Sequence, residues 1–175
     1  EYQVITAATY RECLQAKRQD YPLPTGWQEK IAGRNVIFYQ LSPASFVNGV
    51  AALKANLQNL CRLFANCGNA ILWWYADPAL KDTLREEAHD AELVADYEAL
   101  EAEYRDAETI IFDDSGNLPR AIAWTDAYYG GQTEPMWVFK ATGKPVMLEN
   151  LAAQDEDLTT DAWDCVSTLA PAGKQ

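Results

Sequence analysis

Carboxylates are the chemistry-bearing groups most concentrated in this sequence. Glu92, Asp96, Glu98, Glu101, Glu103 and Asp106 fall within one helix-like stretch, Glu86 to Glu108, in which Arg105 is the one basic interruption. So dense an acidic field repels nucleic acid and anionic membrane, and attracts cationic proteins or metal ions. Up to residue 70 the chain carries seven Lys/Arg and four Asp/Glu; beyond it, seven Lys/Arg face twenty-two Asp/Glu, for a net charge of −12.

Other chemistries find less support. The single histidine, His89, sits among Glu86, Glu87 and Asp90, without a Gly-x-Ser-x-Gly elbow anywhere to serve. Cys13, Cys61, Cys67 and Cys165 contain no CxxC pair, and Cys61 and Cys67 are separated by roughly 9 Å along a helix axis. Reduced, buried thiols in a cytoplasmic protein are the reading this spacing favours. Asp113-Asp114-Ser115-Gly116-Asn117 lacks the alternating ligands and terminal glutamate of a calcium loop and reads as a turn. Gly143-Lys144 runs into Pro145 and completes no phosphate loop, and no Gly-x-Gly-x-x-Gly occurs. No cofactor is expected.

The elements that position these groups can be read from periodicity. A helix is expected over roughly 7–19, capped by Thr6, followed by the breaker Tyr21-Pro22-Leu23-Pro24-Thr25-Gly26. Asn35 to Leu41 reads as a buried strand. Ser42-Pro43 then opens a helix whose stripe is Phe46, Val50, Leu53, Leu57, Leu60 and Phe64. Ile71 to Tyr75 reads as a strand, Asp77-Pro78 as the next helix start. Leu93, Tyr97, Leu100 and Tyr104 form the inward stripe of the acidic helix, after a break near His89-Asp90.

Beyond Glu108 four runs are expected as strands of a meander: Thr109–Phe112, Leu118–Tyr128, Met136–Phe139 and Pro145–Leu148. The tail, 151–175, is acidic and reads as ending in a short helix around Trp163. The whole predicts a single α+β domain, 1–175, helix-rich over 1–108 and strand-rich over 109–150. Its helices should pack on one face of a mostly antiparallel sheet. Apolar runs are far shorter than the roughly 18 residues of a membrane span, and no basic region followed by an apolar run opens the chain.

Three functions follow from this reading. The first is an acidic inhibitor, of the immunity or antitoxin kind or a nucleic-acid mimic, that blocks the basic cleft of a nuclease or other nucleic-acid-binding protein. Glu92, Asp96, Glu98, Glu101, Glu103 and Asp106 would steer association, and Trp124, Tyr128, Tyr129 or Trp137 would anchor the complex. Its partner would be a basic protein, with neither nucleic acid nor membrane bound, and the chain a monomer or dimer. The second is a dimeric adaptor or secretion chaperone, with the Phe46–Phe64 stripe as its seam. The third is a metal-dependent hydrolase using Asp113, Asp114 and Asp126.

Overall fold

A computed structural model describes residues 5–41, 50–88 and 91–148. The helix start at Ser42-Pro43, the break near His89-Asp90 and the tail helix around Trp163 lie outside them. Helix α1 (Ala7–Gln15), a 3-10 turn (Arg18–Asp20) and α2 (Trp27–Ile31) lead into β1 (Asn35–Gln40). There follow α3 (Val50–Cys67), β2 (Ala70–Tyr75), α4 (Pro78–Ala88), α5 (Ala91–Tyr104) and β3 (Ile110–Asp113). The chain then forms α6 (Leu118–Trp124), β4 (Ala127–Gly130), α7 (Glu134–Thr142) and β5 (Val146–Leu148).

The sheet corrects the expected architecture. All four strand pairings are parallel, in the order β3-β2-β1-β4-β5, and helices cover both faces. Parallel neighbours require a crossover, so every strand-to-strand connection carries at least one helix. The run expected as a strand over Leu118–Tyr128 is α6 followed by β4, and Met136–Phe139 lies inside α7. Both helices start on signals that outweigh a short apolar alternation. Asn117 accepts the Arg120 N–H at 3.0 Å, and Pro119 and Pro135 stand in the first turns, where a missing N–H costs nothing.

Side-chain alternation divides the core into two layers. Ile37, Tyr39, Leu72, Trp74, Ile110 and Phe112 face α3, α4 and α5; Val36, Phe38, Ile71, Trp73, Ile111 and Tyr128 face α1, α2, α6 and α7. The α3 stripe lies as expected, with Leu53, Leu57, Leu60 and Phe64 all buried against the sheet. Those four therefore leave no apolar seam for a second copy. Among the described residues no helix is long and apolar enough to cross a membrane.

Buried titratable groups give the fold an alkaline limit. Burial pushes the Cys13 thiol up from 9.0 to about 11 and the Cys61 thiol up to about 12. The unfolded chain sheds these protons first, so their contribution is complete below pH 9 and is lost above it. Lys144 works in the opposite sense: burial pulls it from 10.5 down to about 8, so its contribution to stability rises between those values. Two thiols outweigh one amine, and net stability should fall from pH 9 upward, more steeply in Lys144→Met. Urea midpoints at pH 7.5, 9 and 10.5 check this; a midpoint flat or rising above pH 9 contradicts it.

Candidate functional site

The acidic helix is not an uncompensated surface. Helix α4 packs beside α5 and supplies two cations to one of its flanks. Lys81 Nζ lies 2.6 Å from Glu101, whose side chain is 7% exposed, and Arg85 reaches Glu98 at 3.4 Å. Burial and the Glu101 carboxylate together push the Tyr97 hydroxyl far up. Arg105 pairs with Asp114 at 2.9 Å. The sequence showed few partners within α5 itself because these partners come from another helix. Asp96, Glu103 and Asp106 remain exposed; the Glu92 side chain lies outside the described residues. Asp96 and Glu103 border a groove of about 210 Å³ between α3 and α5, which Lys54 also lines.

The aromatic anchors lie elsewhere. Tyr128 is fully buried, its hydroxyl donating to Gly131 O at 2.6 Å, so it offers no docking surface. Tyr129 is half-buried and stacks on Tyr39 at 5.9 Å. The Trp124 indole N–H donates to Tyr21 O at 2.7 Å under the Arg18 guanidinium. Trp137, 58% exposed, carries Lys140 over its ring. Trp124 and Trp137 belong to helices on the sheet face opposite α5, so the sheet separates them from the carboxylates.

Nor does the fold gather Asp113, Asp114 and Asp126. Asp126 precedes β4 at the amino end of the sheet, where it accepts from Arg18 at 2.7 Å and from the Val36 N–H at 2.8 Å. Asp113 ends β3 and Asp114 follows it, at the carboxyl end. No cluster of three or more metal-ligating side chains occurs among the described residues.

What the fold does gather, unforeseen in the sequence, is a polar row at the carboxyl edge. Gln40 ends β1 opposite Gly130, and Tyr75 ends β2 opposite Asp113. Period-two alternation places Gln40, Tyr75 and Asp113 on the face of α6 and α7, in line with Phe38 and Trp73. Asp113 is almost wholly buried and fully engaged. Its Oδ1 accepts from Arg120 at 2.8 Å and Ser115 Oγ at 2.6 Å; its Oδ2 accepts from the Trp73 indole at 3.1 Å. Arg120 also lies over the Trp27 ring.

Asp77, expected only as a cap, caps α4 with Oδ1, 2.9 Å from the Ala79 N–H, and takes Gln40 Nε2 on Oδ2 at 3.4 Å. Burial first, and then the charges of Asp77 and Asp113, drive the Tyr75 hydroxyl far up, so it stays a proton donor at physiological pH.

Between β1 and β4 the strand order reverses: the chain leaves β1 for α3 on one face and β4 for α7 on the other. Gly130 holds φ 147, and a Cβ there would stand 3.2 Å from the Tyr128 hydroxyl and 3.5 Å from Gln40 O. Gly130-Gly131 turns directly into α7, whose N-cap Thr133 makes no side-chain capping bond. Glu134, in the first turn, accepts the Ile5 N–H instead. The point of reversal thus carries an uncapped helix end, a hydroxyl, an amide and two carboxylates already held by protein donors. No protein-family model matches this chain, and no curated protein or solved structure matches it.

Proposed function

We propose that this chain is a ligand-binding α/β domain that holds a phosphorylated, nucleotide-class small molecule at the carboxyl edge, between β1 and β4. The strand order carries this reading. In open parallel sheets with helices on both faces, ligands enter where the order reverses, because neighbouring connections part there and leave a crevice. The reversal here coincides with the polar row rather than with an apolar seal. Phosphate would sit at the Gly130-Gly131 turn, where glycine permits close approach and the α7 dipole favours an anion. The free thiols Cys13 and Cys61 fit a reducing, cytoplasmic setting.

The test is calorimetric and thermal titration with ADP, CDP, GDP and UDP up to millimolar concentration. A ligand at one hundred times its Kd stabilises a protein by about 2.7 kcal/mol, which is a rise of roughly 5–10 °C in the midpoint for a domain of this size. If none of the four moves the midpoint, the reading fails.

The groove between α3 and α5 favours a second reading, the acidic inhibitor of a basic protein, now resting on Asp96 and Glu103 rather than on Glu98 and Glu101. Its expected result is stoichiometric inhibition of a basic nuclease, weakened at least tenfold by the double reversal Asp96→Lys, Glu103→Lys and by added salt. Inhibition unmoved by that reversal would remove the acidic flank from the account.

A further inference from the structure

Gln40 occupies a position that packing alone would assign to an apolar residue. It closes the central strand at the point of reversal and is 8% exposed. Its Nε2 donates to Asp77, while its Oε1 finds no hydrogen-bond partner among the described residues. A buried amide oxygen without a donor destabilises a fold, and leucine at this site would remove it at the cost of one long bond, 3.4 Å, to the partly exposed Asp77. Persisting polarity at an unsatisfied buried site is characteristic of a group whose partner arrives with a ligand.

We infer that Gln40 is a specificity-determining contact of this crevice, its Oε1 accepting a hydrogen bond from a hydroxyl or amino group of the bound molecule. The inference rests on the ligand-binding reading above and adds to it the chemistry required at one point. An amide oxygen repels the oxygens of a phosphate, so Gln40 faces the O–H or N–H groups of the nucleoside or of the group it carries. Asp77 sets the direction of the amide. As an acceptor it holds Nε2, and so leaves Oε1 as the unpartnered end of the amide; its other oxygen is occupied at the start of α4. Gly130, across the strand pair, lacks the Cβ that would press on the Tyr128 hydroxyl at 3.2 Å. Asp77 is therefore a positioning residue, acting through Gln40.

The experiment is titration of the full chain and two variants with whichever of ADP, CDP, GDP and UDP the wild type binds, alongside thermal midpoints. Gln40→Leu should weaken that nucleotide at least tenfold while the midpoint holds or rises, because an unsatisfied acceptor has been removed. Asp77→Asn keeps the α4 cap but presents an N–H to Nε2, which turns the Gln40 amide over. It should weaken the same nucleotide at least fivefold with a midpoint close to wild type. Unchanged affinity in Gln40→Leu overturns the assignment. Where Gln40→Leu loses affinity and midpoint together, Asp77→Asn decides: unchanged affinity there overturns the assignment, and weakened affinity at a held midpoint supports it. Failure of the wild type to bind any of the four overturns the ligand-binding reading itself, and Gln40's part with it.

Discussion

Replacing Asp113 with alanine is expected to cost about 3–5 kcal/mol, the penalty for removing one partner of a buried ion pair. The carboxylate is 1% exposed and serves Arg120, the Ser115 hydroxyl and backbone N–H, and the Trp73 indole together. Alanine would leave a guanidinium whose side chain is only 13% exposed without its counter-charge, and an indole N–H without an acceptor. Arg120 has little reserve, since its Nε already lacks a partner among the described residues. Asp113→Asn should be milder, about 1–3 kcal/mol, because one oxygen survives while the amide NH2 cannot replace the other as an acceptor. Adding Arg120→Met to Asp113→Ala should recover part of the loss, since the stranded charge goes too. Urea midpoints on the four proteins measure this. A change below about 0.5 kcal/mol in Asp113→Ala would mean that the carboxylate is free for chemistry rather than committed to the fold.

That commitment explains why the sequence pointed to carboxylates and the fold points between them. Counting Asp and Glu finds charge but not its partners, and here the partners come from other elements: Lys81 for Glu101, Arg120 for Asp113, Arg18 for Asp126. Local grammar was legible. Leu53, Leu57, Leu60 and Phe64 face the core as their spacing requires, and Asp77-Pro78 starts a helix. Strand direction was not, because pairing is non-local. A trace of it lies in Val36-Ile37-Phe38-Tyr39 and in Ala70 to Tyr75, where unbroken apolar runs imply burial on both faces, a property of parallel sheets rather than of a meander. Helix α6 hid for a related reason. Leu118, Pro119, Ala121, Ile122 and Ala123 are all buried, so seven residues held no exposed face to reveal a 3.6 period. Gln40 belongs to no motif; its meaning arises from register, once Gly130 and Tyr75 stand beside it.

Phe38→Ala should be the most damaging single truncation in the layer beneath the crevice, at about 3–5 kcal/mol, or on the order of 10 °C in midpoint. The ring is fully buried on the central strand, stacked between Tyr75 at 5.6 Å and Tyr128 at 5.7 Å, and packed on Phe139 at 5.2 Å. Three rings lose a neighbour at once, and a site walled by β1, β2, β4 and α7 has little freedom to collapse. The same contacts tie stability to the site, because the Tyr75 and Tyr128 hydroxyls reach the carboxyl edge from rings that Phe38 spaces. Phe38→Leu separates the two effects. It should cost less than about 1.5 kcal/mol yet weaken nucleotide binding severalfold, as the tyrosine rings tilt into the space left. Val36→Ala is the control: it lies on the same face of the same strand, but one step nearer the amino end and out of reach of both hydroxyls. It should lower the midpoint by a comparable or larger amount and leave affinity unchanged. Equal losses of affinity in Phe38→Leu and Val36→Ala would show that the layer supports the edge only through overall stability, not by placing its hydroxyls.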